Sequence, residues 1–159
     1  MATVLQITDL CVEFATPEGP VRAVRGVDLE LESGQTLGIV GESGCGKSQV
    51  FLSVFGQLAG NGQAAGSVRF EGREVLGRPA ELAALRGDRM AMIFQDPMTS
   101  LNPYLRIGQQ LAEVLQVHRG CDRRQARRRA VEVMGRVGLA EAERRAELYP
   151  HEFSGGMRQ

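Results

Sequence analysis

Two β-favouring stretches open the chain. Val4 to Phe14 (VLQITDLCVEF) alternates partially between apolar and polar positions, and Val21 to Leu31 (VRAVRGVDLEL) repeats the pattern after Thr16, Pro17, Glu18, Gly19 and Pro20. Two strands joined by a turn are expected. Ser33, Gly34 and Gln35 form a further turn, followed by the short apolar run Thr36 to Val40 (TLGIV), which predicts another strand. From Gln49 the period changes: Val50, Phe51, Val54, Phe55 and Leu58 recur at helical spacing until Gly60, Asn61 and Gly62 break it. Ser67 to Glu71 (SVRFE) reads as a strand ending at Gly72, and Met90 to Phe94 (MAMIF) as a short buried one. The expected N-terminal part is an antiparallel β layer wrapped around one β-loop-α unit.

Beyond Pro97 the pattern is helical. Ile107, Leu111, Val114, Leu115 and His118 share a face, with Gly120 as a stop. Asp122 and Gln125 have capping-box spacing ahead of a helix whose buried face would be Ala126, Ala130, Val133, Met134 and Val137, ended by Gly138. Ala140 to Tyr149 predicts a shorter helix closed before Pro150. Arg123, Arg124, Arg127, Arg128 and Arg129 fall largely opposite the apolar stripe, as a solvated face does. No aromatic residues interleave with them, so nucleic acid is not an expected partner.

The strand–helix junction carries chemistry. Gly41 to Ser48 reads GESGCGKS, which fits G-x-x-x-x-G-K-[ST], a phosphate-binding loop. Its glycines free the backbone to turn N–H groups onto a phosphate at a helix start, where the dipole favours an anion. Gly41, Glu42, Ser43, Gly44, Cys45, Gly46, Lys47, Ser48 and Gln49 are therefore the expected nucleotide contacts. Lys47 would reach the β- and γ-phosphates, and the Ser48 hydroxyl would ligate Mg²⁺. A dinucleotide-binding reading fails on spacing, because Gly41, Gly44 and Gly46 run G-x-x-G-x-G.

Composition sharpens this reading. Of 19 basic residues, 18 are Arg, and the one Lys is Lys47. A compact ammonium on a flexible stem suits phosphates at this point better than a planar fork. The net charge is zero, so no bulk attraction to nucleic acid or anionic lipid is implied. Cys11, Cys45 and Cys121 are too scattered for a disulfide framework or metal site, which fits a reduced compartment. The N-terminus lacks a signal-peptide pattern, and no apolar run approaches the ~20 residues a membrane helix needs. His118 and His151 are isolated and read as structural or exposed.

Three further residues are open on this reading alone. Phe14 could stack on a base or be a core aromatic. Gln95 could ligate Mg²⁺ or orient a water, or be a turn residue before Asp96 and Pro97. Ser154, with Gly155 and Gly156, could cap a helix start open to an anion.

Taken together, GESGCGKS, IFQDPMTSLNP and YPHEFSGGMRQ resemble the ATP-binding subunits of ABC transporters, most closely the oligopeptide, dipeptide and nickel importer branch. The resemblance covers essentially the whole chain. It implies an α/β P-loop NTPase fold: residues 1–96 as β layer and phosphate-loop core, 97–153 as a helical subdomain, and 154–159 as the start of the signature helix. It places Phe14 at the adenine-stacking position, where Tyr is commoner, and makes Gln95 a catalytic and Mg²⁺-associated glutamine beside Lys47 and Ser48. Ser154 and Gly156 would act in trans on ATP held by a second ATP-binding subunit. FSGGM stands where LSGGQ is usual. Permease subunits and, indirectly, a substrate-binding protein are the implied partners, at the cytoplasmic face of a bacterial inner membrane.

The resemblance also implies an acidic strand end, a water-orienting Glu and a switch His after Gln159, so the chain reads as the N-terminal part of a longer protein with the C-terminal part of the core missing. The chain as given is expected to bind nucleotide without hydrolysing it. The alternative is a non-catalytic homologue that pairs with and regulates an intact subunit. ABC ATPases of DNA repair or translation lack the run DPMTSLNP.

Overall fold

The computed structural model describes residues 2–94 and 100–158. The chain forms two compact units, one up to Leu85 and one from Arg86 onward.

In the first unit, β1 (Thr3–Thr16) and β2 (Gly19–Glu32) form a long antiparallel hairpin. With β3 (Gly62–Phe70) and β4 (Arg73–Glu74) they make a sheet of order β2-β1-β3-β4. The partial alternation of β1 has a local cause. Leu5 and Ile7 are buried from odd positions, Leu10 and Val12 from even ones. A bulge at Asp9 resets the phase between them: Asp9 has φ of 46°, its N–H donates to Asp28 Oδ1 at 2.9 Å, and both neighbouring ladders shift register there. Gly66 faces the bulge with φ of +110°. A Cβ there would press on the Asp9 backbone, whose carbonyl carbon would lie at 2.8 Å.

Against this sheet packs α1 (Lys47–Val54), through Val50 and Val54, while α2 (Pro79–Leu85) buries Leu82 against Gly56. α1 starts two residues earlier than its apolar spacing predicts and stops before Leu58. Thr36 to Val40 is not a strand. No strand among the described residues pairs with it, and Val40 is 93% exposed. An apolar segment without a ladder partner has no sheet to enter, whatever its propensity.

Glu74 closes the β3–β4 turn. Its carboxylate accepts from Ser67 Oγ at 2.5 Å and from the N–H groups of Val68 and Leu76 at 3.0 and 3.1 Å. Partial burial pushes its pKa up, but the Ser67, Val68 and Leu76 hydrogen bonds and the Arg69 charge outweigh this and hold it below the usual carboxylate value. Its stabilising contribution is therefore present above the ordinary value of ~4.3 and is lost as pH falls through the lowered one. Glu74→Ala should lower stability by about 2 kcal/mol at neutral pH, with the difference from wild type shrinking in acid. Urea unfolding at several pH values measures both effects.

In the second unit, α3 (Ile107–Arg119) and α4 (Arg123–Arg136) are joined by Gly120 in the left-handed conformation. Asp122 caps α4 as expected, accepting from Gln125 N–H at 2.8 Å. The two helices meet through small residues, Ala112, Ala126 and Ala130. A second cluster joins Ile107 and Met134 to Ala146 and Phe153. The amides of Ile107 and Gly108, unpaired donors of a helix start, bond the carbonyls of Leu148 and Ala146 at 3.0 and 2.9 Å. A Cβ at Gly108 would lie 2.8 Å from that of Ala146, so the close approach needs Gly.

Here too the expected pattern needs correction. Val133 and Val137 do not join the buried face of α4; they are 38% and 70% exposed, because the face turned to the rest of this unit carries Ala126, Ala130 and Met134, with Val131 half-buried beside them. The helix expected over residues 140–149 is only α5 (Ala142–Arg145), followed by turns and a 3₁₀ turn (Pro150–Glu152) ahead of α6 (Gly155–Arg158). Met90 makes an isolated bridge with Arg86, and the strand expected from it does not form: Ile93 is 90% exposed.

Candidate functional site

The phosphate loop is built on a close approach to β2. Gly46 holds φ of +95° at the N-cap of α1, and a Cβ there would collide with the Ala23 carbonyl oxygen. Gly44 is also left-handed, at φ of +82°, with open space where its side chain would be. These two glycines turn the chain sharply between Glu42 and Lys47. Cys45 N–H bonds back to Glu42 O at 3.4 Å, and Gln49 N–H and Val50 N–H to Gly46 O at 2.9 and 3.2 Å.

Lys47 folds over its own loop. Its Nζ donates to the carbonyls of Gly41 and Glu42, both at 2.7 Å, and lies 3.5 Å from Cys45 Sγ. The ammonium is thus held at the loop mouth by carbonyls, acceptors that an incoming phosphate oxygen can replace. The hydroxyl of Ser48 is exposed and has no hydrogen-bond partner among the described residues. Gln49 follows within the first turn of α1, its carbonyl accepting from Ser53 Oγ at 2.7 Å.

Beside the loop lies a cleft of about 600 Å³. One wall is Gly44, Cys45, Gly46 and Lys47; the other is β2, with Val21, Ala23 and Arg25. Those β2 residues went unread in the sequence beyond their strand pattern; Val21 is exposed in the structure. Arg22 is turned to Glu13 at 3.1 Å, leaving Lys47 and Arg25 as the cleft's cations without a carboxylate partner among the described residues.

Phe14 pairs with Val21 across β1 and β2, which sets it one strand away from this cleft. Its ring packs over Gly62, where a Cβ would come within 2.6 Å. Gln95 lies outside the described residues. Ser154, Gly155 and Gly156 are exposed in the second unit at the start of α6, where Ser154 O accepts from Arg158 N–H at 3.0 Å. Buried Phe153 anchors that segment to the Ile107–Met134 cluster. His118 sits against Gly87 and Cys121 against the alanine cluster, both in packing positions.

A glycine-turned loop at a helix start, with a lysine poised at its mouth and a free hydroxyl behind it, defines a nucleotide-phosphate-binding protein of the P-loop class. The chain belongs to the ABC transporter family, whose model matches residues 24–159. It is 53% identical over 156 residues to the oligopeptide transport ATP-binding protein OppD of Salmonella typhimurium, covering 98% of this chain and 47% of that protein. With OppD of Haemophilus influenzae the identity is 52% over 160 residues, covering all of this chain and 50% of the other. With the dipeptide transport ATP-binding protein DppD of Lactococcus lactis it is 47% over 159 residues, 98% and 46%. The chain thus spans about half the length of the curated relatives it matches. In fold it resembles the ATP-binding cassette MJ0796, solved as a dimer bound to ADP and Pi, with a TM-score of 0.80 at 24% identity over 97% of this chain and 65% of that one. The expected α/β cassette fold, with its antiparallel layer and helical part, stands. Among the described residues no helix is long and apolar enough to cross a membrane.

Proposed function

We propose that this chain is the ATP-binding part of a subunit that energises import of oligopeptides or dipeptides. The observation that carries it is the Lys47 ammonium held on the carbonyls of Gly41 and Glu42 at the mouth of the glycine loop. ATP would place its phosphates on the backbone N–H groups of residues 44–48, with Lys47 exchanging loop carbonyls for β- and γ-oxygens. Ser48, together with Gln95, would hold Mg²⁺, which supplies charge neutralisation at the phosphates when bound. Phe14, on the interior strand β1 opposite Val21, would take the adenine.

Ser154 and Gly156 sit exposed at a helix start, as donors to a γ-phosphate must. They would act on ATP held by a second ATP-binding subunit, completing the site in trans. Permease subunits would receive the closure of this pair through the Gln95 region and hold the assembly at the cytoplasmic face of a bacterial inner membrane. A substrate-binding protein would deliver the peptide. The names of the OppD and DppD relatives support the cargo class.

The 159-residue chain, which spans about half the length of its OppD relatives, should bind MgATP without turnover. A steady-state phosphate-release assay checks this, and hydrolysis by the chain that disappears in Lys47→Ala would contradict it. The same assay, run on an intact homologue with this chain added, separates the regulator reading: inhibition at stoichiometric ratio would favour it.

A further inference from the structure

In the second unit, open charges of opposite sign stand at the two ends of one cleft. The cleft, of about 850 Å³, lies between α3, α4 and the segment around α5, within the size range of small-molecule sites. Chain direction fixes its ends. The α5 segment sits at the start of α3, where Ile107 N–H and Gly108 N–H bond the carbonyls of Leu148 and Ala146. Arg123 and Arg124 sit at the other end, because α4 begins just after the Gly120 turn that closes α3. α3 has 13 residues, so the length available is about 20 Å.

The charges along this length are unevenly satisfied. Near α5, Glu147 bridges Arg106 and Arg127, the latter at 2.7 Å, and that trio is closed on itself. Glu143, which lines the cleft one turn earlier, has no hydrogen bond or ion pair among the described residues. At the far end Arg123 and Arg124 have none either, and the first turn of α4 holds no acidic residue to offset them. Arg128, also on the lining, feels the neighbouring charge of Glu132. What stays open is one carboxylate at the α5 end and two guanidinium forks at the other. Val131, packed with Ala142 and Ala146 on the α5 side, is seven residues from Arg124, about 10 Å along α4.

Between the ends the lining is small and amide-bearing. Ala112 and Ala146 leave room, and Gln109 and Gln116 stand two turns apart on α3 with side-chain amides unpartnered among the described residues. A lone inorganic anion would engage the arginines and leave Glu143 and both glutamines to water. A polyanion long enough to fill the cleft would press negative charge onto Glu143 and Glu147. A zwitterion about 10 Å long meets both ends, and an extended tripeptide has that length. Its α-carboxylate fits the forks of Arg123 and Arg124, its α-ammonium fits Glu143, and its main-chain amides fit Gln109 and Gln116. We infer that this cleft binds short peptides of about three residues through their free termini. Its biological sense rests on the peptide-import reading proposed above: the energising subunit carries a sensor for delivered cargo.

The test is isothermal titration of the 159-residue chain with tri-alanine, beside the same peptide acetylated at its N-terminus, amidated at its C-terminus, or both. Saturable binding of the free peptide is expected, weakened about tenfold or more by either block. Arg123→Gln/Arg124→Gln should weaken the free peptide similarly and remove the penalty of amidation, while Glu143→Gln removes the penalty of acetylation. Matching each terminus to one variant is a result that unfolding does not produce, and the blocked peptides need no variant at all. Lys47→Ala should lose MgATP and keep tri-alanine, so failure of the nucleotide reading and failure of this one are distinguishable. A folded chain that takes up no free peptide, or takes the doubly blocked one equally well, overturns the inference. Displacement of tri-alanine by equimolar pyrophosphate also overturns it and makes the cleft a phosphate site.

Discussion

Replacing Gly46 by Ala should abolish detectable MgATP binding and lower the stability of the first unit by about 3 kcal/mol. Two independent penalties act at this position. The left-handed φ of +95° disfavours any residue with a Cβ by roughly 1–2 kcal/mol. The added methyl also meets the Ala23 carbonyl, which belongs to the backbone of β2 and so lacks a side chain's freedom to rotate away. Relief requires the loop to lift from β2, and that separates the two walls of the cleft proposed to hold nucleotide. Stability and binding therefore fall together, in thermal unfolding and in nucleotide titration. A Gly44→Ala variant makes the useful contrast. It shares the left-handed backbone, at φ of +82°, but its Cβ meets nothing within 4 Å, so it should lose less stability than Gly46→Ala.

Lys47→Ala should weaken MgATP by about a hundredfold while leaving the fold intact. The ammonium makes two 2.7 Å bonds to the loop's carbonyls, and on the proposed reading each would be exchanged for a charge-assisted bond to phosphate when nucleotide binds. Hydrogen bonds to charged groups contribute about 1.5–3 kcal/mol, and loss of about 3 kcal/mol corresponds to that factor in Kd. Lys47→Arg should not restore affinity. A planar fork in place of a compact ammonium does not fit between the Gly41 and Glu42 carbonyls and the phosphates together. Isothermal titration of the three proteins, with unfolding curves beside them, separates the loss of a contact from the loss of a fold.

What the sequence disclosed was local in origin. The phosphate loop needed eight consecutive residues, and its glycines, lysine and serine stand where the motif requires them. The α3–α4 hairpin was readable from period and caps, with Gly120 and Asp122 in their expected roles. Features that depend on remote partners were not readable. Thr36 to Val40 has strand composition, but its state depends on neighbours the local pattern does not specify, and it pairs with no strand among the described residues. The bulge at Asp9 turned a broken alternation into two buried pairs, Leu5 with Ile7 and Leu10 with Val12. Its trace in the sequence was Gly66 on the facing strand, too far along the chain to be tied to Asp9 by local pattern. Val133 and Val137 fit the helical period of α4 yet face outward, because alanines elsewhere on that helix let α3 approach on one narrow stripe. The β2 wall of the cleft, with Val21, Ala23 and Arg25, became visible only once Gly46 was seen to touch Ala23.

All of the functional reading descends from one contact set, Lys47 over the carbonyls of a glycine-turned loop. Titration of the purified 159-residue chain with MgATP, alongside Lys47→Ala, addresses it without permease, partner or turnover. Saturable binding that weakens about a hundredfold in the folded variant is the predicted result. A folded wild-type chain that takes up no MgATP, or a Lys47→Ala chain that binds it equally well, would contradict it.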